Sequence, residues 1–256
     1  MTRPRLFDLH GQVAVVTGSS RGIGLAAARA LAVQGATVVL NGRSPEAVLP
    51  LCQALRAEGL SVDAECFDVN DVPAAIAALD RVRTRHGRID IFFANAGINH
   101  RAPLLEFEQA VFEQVLFTNV TAQWAIARHA ARSMVAQGHG RILFTGSVTA
   151  LRGRRNVTAY TAAKGALHAL VRQWAAELGG QGVTVNALAP GYIRTELTRV
   201  LQEDAEFDGW LRNATPAGRW GTPEDLAAAI VFIASREAGF LTGQVITVDG
   251  GLTAVL

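Results

Sequence analysis

The stretch TAYTAAKGAL, residues 158–167, carries the only lysine of the chain, Lys164, and one of its two tyrosines, Tyr160. Four residues apart, the two side chains share one face of a helix. A free phenol, with a pKa of about 10, is a poor base at neutral pH. A neighbouring ammonium lowers that value by favouring the phenolate. A phenol tuned in this way is a general acid–base suited to carbonyl reduction or alcohol oxidation. Lysine serves better here than arginine, because its compact ammonium has three rotatable donors and can bond a ribose hydroxyl while facing the phenol. Every other basic side chain is arginine, so lysine is kept only where arginine would fail. Ser147 ends the apolar run GRILFTG and falls at the same sheet edge, where its hydroxyl can hold a substrate oxygen.

A second constellation sits near the N-terminus. TGSSRGIG (17–24) follows the β-branched run VAVVT and opens a helical stretch, placing Gly18, Ser20, Arg21, Gly22, Ile23 and Gly24 in a strand-to-helix turn. Such a turn lets backbone N–H groups approach a pyrophosphate while the helix N-terminus supplies positive potential. The next apolar run ends VVLNGRS. A site for a dinucleotide with a free ribose 2′-hydroxyl wants a carboxylate there. This chain has Gly42 and Arg43 instead, with Arg21 nearby in the turn. Two guanidiniums grip a 2′-phosphate that a carboxylate would repel. The predicted cofactor is therefore NADP(H). Asp68, with Val69 in FDV, ends the third strand and can accept a hydrogen bond from an adenine amino group. Asn95, Ala96 and Gly97 in ANAG end the fourth, with a small-residue backbone suited to a closely pressed cofactor.

These residues need a scaffold that brings strand ends together. Short apolar runs alternate with helical stretches along the chain: VAVVT, TVVLN, SVDAECF, IDIFFAN, GRILFTG, VTVNALAP and QVITVDG. The intervening helices start at residues such as Ser44–Pro45, Asp71 and Thr222–Pro223, with one long helical region running to about Gln137. Unbroken alternation predicts an α/β fold, a doubly wound parallel sheet with helices on both faces, in a single domain over residues 1–256. With 256 residues, half of them hydrophobic, the chain can bury a sizeable core.

Composition excludes other classes. The net charge is +2 and the arginines are scattered, so no nucleic-acid stripe is formed. Cys52 and Cys66 lack metal-type spacing, and the six histidines form no paired-ligand motif, so no metal is expected. MTRPRLFDLHGQ has no apolar core of signal-peptide length, and no run reaches a membrane span. The expectation is a cytoplasmic protein without nucleic-acid or membrane partners.

Taken together, TGSSRGIG, ANAG, Asn119, Ser147, YTAAK and PGYIRT resemble the short-chain dehydrogenase/reductase family over essentially the whole chain. The resemblance implies a Rossmann-type seven-stranded sheet and a Ser147–Tyr160–Lys164 catalytic group. Asn119, a poor helix former in a helical stretch, matches the family residue holding a water that relays protons toward the lysine. Pro190 and Gly191 open the PGYIRT motif, in which Ile193 and Thr195 match positions contacting the nicotinamide carboxamide and phosphates. A homotetramer is also implied, as is a lid within residues 191–220. Ala94 departs from the family's usual NNAG, while Asn95 keeps the second asparagine.

Within the family, the C-terminal third looks closest to the gluconate 5-dehydrogenase branch, which implies a sugar acid or polyol as substrate. Charge points the same way. His100 and Arg101 follow the fourth strand, and Arg152, Arg154 and Arg155 follow the fifth, so a cationic rim faces the cleft. With Tyr192 and Ser147, the residues His100, Arg101 and Arg154 are the candidate substrate contacts. A 3-oxoacyl-ACP/CoA reductase is the alternative, its basic rim meeting a phosphate of the carrier arm. A non-catalytic NADP-binding regulatory protein is the distant one, since the catalytic set is intact.

Overall fold

The computed structural model describes residues 6–255; the opening MTRPR, part of the stretch read above for a leader, and Leu256 lie outside it. The apolar runs form seven strands: β1 (Val13–Val16), β2 (Thr37–Gly42), β3 (Val62–Cys66), β4 (Ile91–Ala94), β5 (Gly140–Thr145), β6 (Val183–Pro190) and β7 (Val245–Val248). Their order is β3-β2-β1-β4-β5-β6-β7, and every neighbouring pair is parallel. The order reverses between β1 and β4. At such a switch point a crevice opens at the carboxyl ends of the strands.

Helices α1 (Gly22–Val33), α2 (Pro45–Ala57), α3 (Val72–His86), α4 (Gln109–Leu116), α5 (Ala122–Ala136), α6 (Thr158–Leu178), α7 (Arg199–Gln202), α8 (Ala205–Ala214) and α9 (Ala227–Ala234) fill the connections. Successive strand residues point to opposite faces, so each face has its own core. On one side, Leu31, Val48, Leu55 and Ile230 from α1, α2 and α9 pack on Val16, Leu40 and Phe93. On the other, Leu79, Ile126, Leu167 and Trp174 from α3, α5 and α6 pack on Val15, Phe92 and Phe144. The result is the expected single-domain, Rossmann-type doubly wound sheet. No helix among the described residues is long and apolar enough to cross a membrane.

The helix boundaries differ in instructive ways. Asp71 caps α3, its Oδ1 accepting the Ala74 N–H at 3.0 Å, whereas Ser44 occupies the cap position of α2 without a capping bond. Thr222 and Asp225 form a reciprocal capping box, but it opens a 3₁₀ turn, Pro223–Leu226, ahead of α9. The long helical region before Gln137 is two helices, α4 and α5, joined by a π-helical turn at Phe117–Thr121. Between β6 and α9, α7 and α8 build a small separate core of Leu201, Phe207, Leu211 and Trp220, with Tyr192 against it.

Candidate functional site

The turn after β1 is shaped by its glycines and held by an asparagine. Gly18 and Gly22 adopt positive φ, +63° and +56°, a conformation glycine tolerates best. A side chain at Gly24 would run into the Gly18 carbonyl and the Asn95 amide, so glycine lets α1 start directly against the turn. The Gly18 N–H is not free for a ligand, because Asn41 Oδ1 accepts it at 3.0 Å. Asn41 Nδ2 donates to the Glu65 and Phe67 carbonyls at 3.1 and 3.2 Å, binding the turn to the end of β3. Asn41 is buried at the end of β2. Sequence reasoning passed over it, although a buried asparagine closing an apolar run is a signal in itself.

The same edge fits an NADP-type cofactor. No carboxylate ends β2; Gly42 is followed by the exposed Arg43, and Arg21 at the N-terminus of α1 is also exposed. Among the described residues neither arginine makes an ion pair, which suits a phosphate-binding donor set. Ser20 and Ile23 line the turn half-buried, and α1 directs its first-turn N–H groups outward there. Asp68 is half-buried beside buried Val69, with its Oδ1 accepting the Asn70 N–H at 2.9 Å. Ala96 lies against Gly18, and exposed Gly97 continues the edge. Pro190 and Ile193 are buried, Gly191 packs on Asp249, and Thr195 lies close to Gly22, facing the phosphate turn from across the crevice. Ala94 lies in the core, and the polar work of the motif falls to Asn95. Its Nδ2 donates to the Thr17 and Gly18 carbonyls at 3.0 and 3.2 Å, and its Oδ1 accepts the Thr145 hydroxyl at 3.1 Å.

The chemical residues meet at the neighbouring strand ends. Tyr160 and Lys164 are one turn apart on α6, with Lys164 Nζ 5.3 Å from the phenol ring centroid. The Ser147 hydroxyl bears on the phenol and is the one group drawing its pKa back down. That hydroxyl also accepts from the Thr149 N–H at 3.1 Å. Asn119, fully buried in the π-turn, brackets Ile98: Oδ1 accepts its N–H at 3.0 Å and Nδ2 donates to its carbonyl at 2.8 Å. Gly97 lies between Asn119 and Lys164, with room for no side chain. π-Turns occur frequently at functional sites.

The net shift of the Tyr160 phenol runs opposite to the expected one. Burial pushes the Tyr160 phenol up to about 12, and the lysine does not offset it. The ammonium is itself buried, donates to the Thr145 carbonyl at 2.6 Å, and is pushed down to about 8 by desolvation. In a low-dielectric site both groups shift toward their neutral forms. One further turn along α6, buried His168 sits against Gly146, its Nε2 facing the Ser147 N–H at 3.5 Å. Burial first, then the charges of Lys164 and Arg172, push its imidazole down to about 4.

At the rim, Arg101 and Arg154 are neighbours. Shielding by its surroundings, followed by the positive charge of Arg154, draws the Arg101 pKa down. Arg154 donates to the Tyr192 hydroxyl. Neither guanidinium makes an ion pair with a carboxylate among the described residues. His100 instead packs edge-on to Phe107, with ring centroids 5.5 Å apart, and makes no hydrogen bond to the other candidates.

The chain as a whole has counterparts among known proteins. A family model described as enoyl-(acyl carrier protein) reductase matches residues 18–253. The chain belongs to the short-chain dehydrogenase/reductase family. Gluconate 5-dehydrogenase of Gluconobacter oxydans is 44% identical over 256 residues, all of both chains. The 5-keto-D-gluconate 5-reductase of Escherichia coli K12 is 36% identical, with 96% of this chain and 97% of that protein aligned. Among solved structures of the short-chain dehydrogenase/reductase family, a gluconate 5-dehydrogenase from Burkholderia cenocepacia J2315 in complex with NADP and tartrate is 42% identical. It superposes with a TM-score of 0.95 over 98% of each chain.

The buried titrating groups make stability depend on pH. Lys164 has a folded pKa of about 8 against 10.5 for the free group, so its desolvation penalty is fully present below pH 8 and fades as pH rises to 10.5. Lys164→Met should therefore gain on the order of 1–3 kcal/mol at pH 7 while activity falls at least about a hundredfold. His168, near 4 in the fold against 6.5 free, acts at the other end. The unfolded chain binds the extra proton first, so stability falls as pH drops from 6.5 toward 4. Thermal melts from pH 4 to 10 on the wild type, Lys164→Met and His168→Gln check both signs. A Lys164→Met variant less stable than wild type at pH 7 contradicts the first. An unchanged acid slope in His168→Gln contradicts the second.

Proposed function

We propose that this oxidoreductase uses NADP(H) to interconvert a secondary alcohol and a ketone on a sugar acid of the gluconate/5-ketogluconate type. The meeting of Ser147, Tyr160 and buried Lys164 beside the glycine turn carries the reading of the chemistry. The similarity to gluconate 5-dehydrogenases supports the substrate class, and the unpaired Arg101 and Arg154 support an anionic one. Ser20, Arg21, Gly22, Ile23, Gly24 and Arg43 would hold the phosphates, with Gly18 shaping their turn, and Asp68, Val69, Asn95, Ala96 and Gly97 the adenosine side and the cofactor body. Tyr160, Lys164, Pro190, Gly191, Ile193 and Thr195 would hold the ribose and the nicotinamide end. When bound, the nicotinamide supplies or receives the hydride.

The chain's own task is the proton. A Tyr160 phenol with a pKa near 12 stays protonated at neutral pH and is ready to donate to a carbonyl oxygen that gains negative charge. Ser147 holds that oxygen, and Lys164 keeps positive charge beside the phenol. Asn119 fixes the backbone of Ile98 and, by the family resemblance, seats a relay water behind the lysine. The basic rim at Arg101, Arg154 and Tyr192 receives the carboxylate. The 191–220 segment serves as the lid. A cytoplasmic homotetramer completes the proposal, supported by the free Cys52 and Cys66 and by exposed Phe117 and Trp124 on the α4–α5 side.

Oxidation needs the phenolate, whose fraction rises tenfold per pH unit below its pKa, whereas reduction needs the phenol. Alcohol oxidation should climb steadily from pH 6 to 10. Ketone reduction should stay flat to about pH 8 and then decline as Lys164 loses its proton. Profiles of kcat/KM in both directions check this, and a flat oxidation limb rules out Tyr160 as the base.

A panel with NADP⁺ and NAD⁺ side by side checks cofactor and substrate. Arg43→Asp should lower the preference for NADP⁺ by about 10–100-fold, the worth of a hydrogen bond to a charged group. Arg101→Ala should raise KM for 5-ketogluconate by a similar factor and leave a neutral ketohexose unaffected. Faster reduction of acetoacetyl-CoA than of 5-ketogluconate would favour a 3-oxoacyl reductase instead, and preference of the wild type for NAD⁺ would refute the arginine argument.

A further inference from the structure

The lid segment carries more aromatic surface than a cover needs. Phe207 and Trp210 project from α8, Trp220 follows it and Tyr192 precedes it, with centroids 5.2 Å apart for Tyr192–Phe207 and Phe207–Trp210 and 5.9 Å for Tyr192–Trp220. Into this cluster, from the loop after β5, reaches Arg154. Its guanidinium carbon lies 4.3 Å from the Phe207 centroid, 5.1 Å from Tyr192 and 5.4 Å from Trp210. One terminal nitrogen donates to the Tyr192 hydroxyl, and Nε is buried without a hydrogen-bond partner.

This arrangement is unfavourable for a residue with a purely structural role. A surface arginine would leave its Nε in water, and a buried one would find a carboxylate. Arg154 does neither, and Arg101 stands beside it with the same charge. Ring faces attract a cation without neutralising it or using its in-plane donors. The rings therefore orient the guanidinium and leave its net charge available to an anion. Trp220 ties this cluster to α8, its Nε1–H donating to Asp208 at 2.7 Å.

We propose that Phe207 and Trp210 are positioning residues for anion recognition: by clamping Arg154, the docked lid helix α8 presents its charge to the substrate carboxylate. Seating of α8 and binding of the anion are then one coupled equilibrium, each strengthening the other by the same factor. Selectivity for acids over neutral sugars is carried partly by residues that do not touch the acid. This rests on the sugar-acid reading above.

The test uses the full chain saturated with NADPH, so that no hydride can leave the added ligand. Calorimetric titration compares D-gluconate with glucitol, its neutral counterpart of equal length. The wild type should bind gluconate and bind glucitol at least about tenfold more weakly. Phe207→Leu and Trp210→Leu should each weaken gluconate binding about five- to tenfold and leave glucitol within twofold, the scale of a lost cation–π contact. Trp210→Phe, which keeps a ring, should stay within twofold of wild type for both. In turnover, the leucine variants should raise KM for 5-ketogluconate by the same factor with kcat within twofold. Wild-type selectivity for gluconate that survives both leucine substitutions overturns the clamp and leaves the sugar-acid reading standing. Equal weakening of acid and neutral ligand also overturns it, marking the aromatics as general lid packing. A wild type indifferent between gluconate and glucitol overturns the reading itself and the clamp with it.

Discussion

The side-chain amide of Asn95 joins three strand ends where the sheet's own ladder stops. It donates to the carbonyls closing β1, accepts from the Thr145 hydroxyl closing β5, and its backbone N–H goes to Thr17 Oγ1 at 2.9 Å. Ala96 adds a second bond to the same hydroxyl at 3.1 Å. Beyond this point most of the candidate groups sit on loops and helices that leave the strand ends, so their positions are no better than those of the strand ends supporting them. Thr145 passes the constraint on, because its carbonyl receives Lys164. A continuous run of short polar contacts thus leads from the glycine turn to the ammonium. Sites that do chemistry tolerate little misplacement, and this run joins the proposed cofactor end and the proposed proton end in one frame.

Electrostatics in that frame are set against stability. Lys164 is a buried cation bonded to a carbonyl and to no carboxylate, Tyr160 is a half-buried phenol with its polar end desolvated, and His168 is an imidazole kept neutral first by burial and then by two nearby cations. Each group would be more comfortable in water. They are tolerated because the two apolar layers on either side of the sheet supply the surplus, and unfavourable burial gathers where function is. At the rim the same logic recurs with two like-charged arginines. The lone lysine follows from it as well: a planar guanidinium is too large for a slot against the phenol, where a compact ammonium with three rotatable donors fits.

Much of this was legible in the chain itself. Strands buried on both faces read as continuous apolar runs, and parallel pairing requires helices between them, so VAVVT and IDIFFAN announced the sheet without any long-range information. Tyr160 and Lys164 were legible because helical spacing is rigid over one turn. Asn41 was not, because its partners come from the turn after β1 and the end of β3, and a polar residue closing an apolar run looks like the beginning of a loop. The direction of the Tyr160 shift was misread for a related reason. Neighbourhood in sequence reveals the ammonium, but the depth of burial that outweighs it is set by the whole fold. The aromatic setting of Arg154 needed the folded chain too, since its rings lie far along the sequence.

The π-turn at Phe117–Thr121 also fixes a length. Such a turn carries an additional residue for nearly the same advance along the axis, so α4 and α5 lie out of phase with a continuous α-helix. Deleting one residue there would relax the turn into a continuous α-helix and leave the residues after it facing nearly as they do now, so the loss would fall on the turn itself. Ile126, Ala130 and Met134 would stay in the core with Phe92 and Ile142, whereas Asn119 would lose its seat in the turn. Surface loops of this chain can lengthen or shorten with modest effect. Between Gln109 and Ala136 the residue count therefore matters through the turn alone, because the extra residue makes the turn that seats Asn119 without changing which face of α5 meets the sheet.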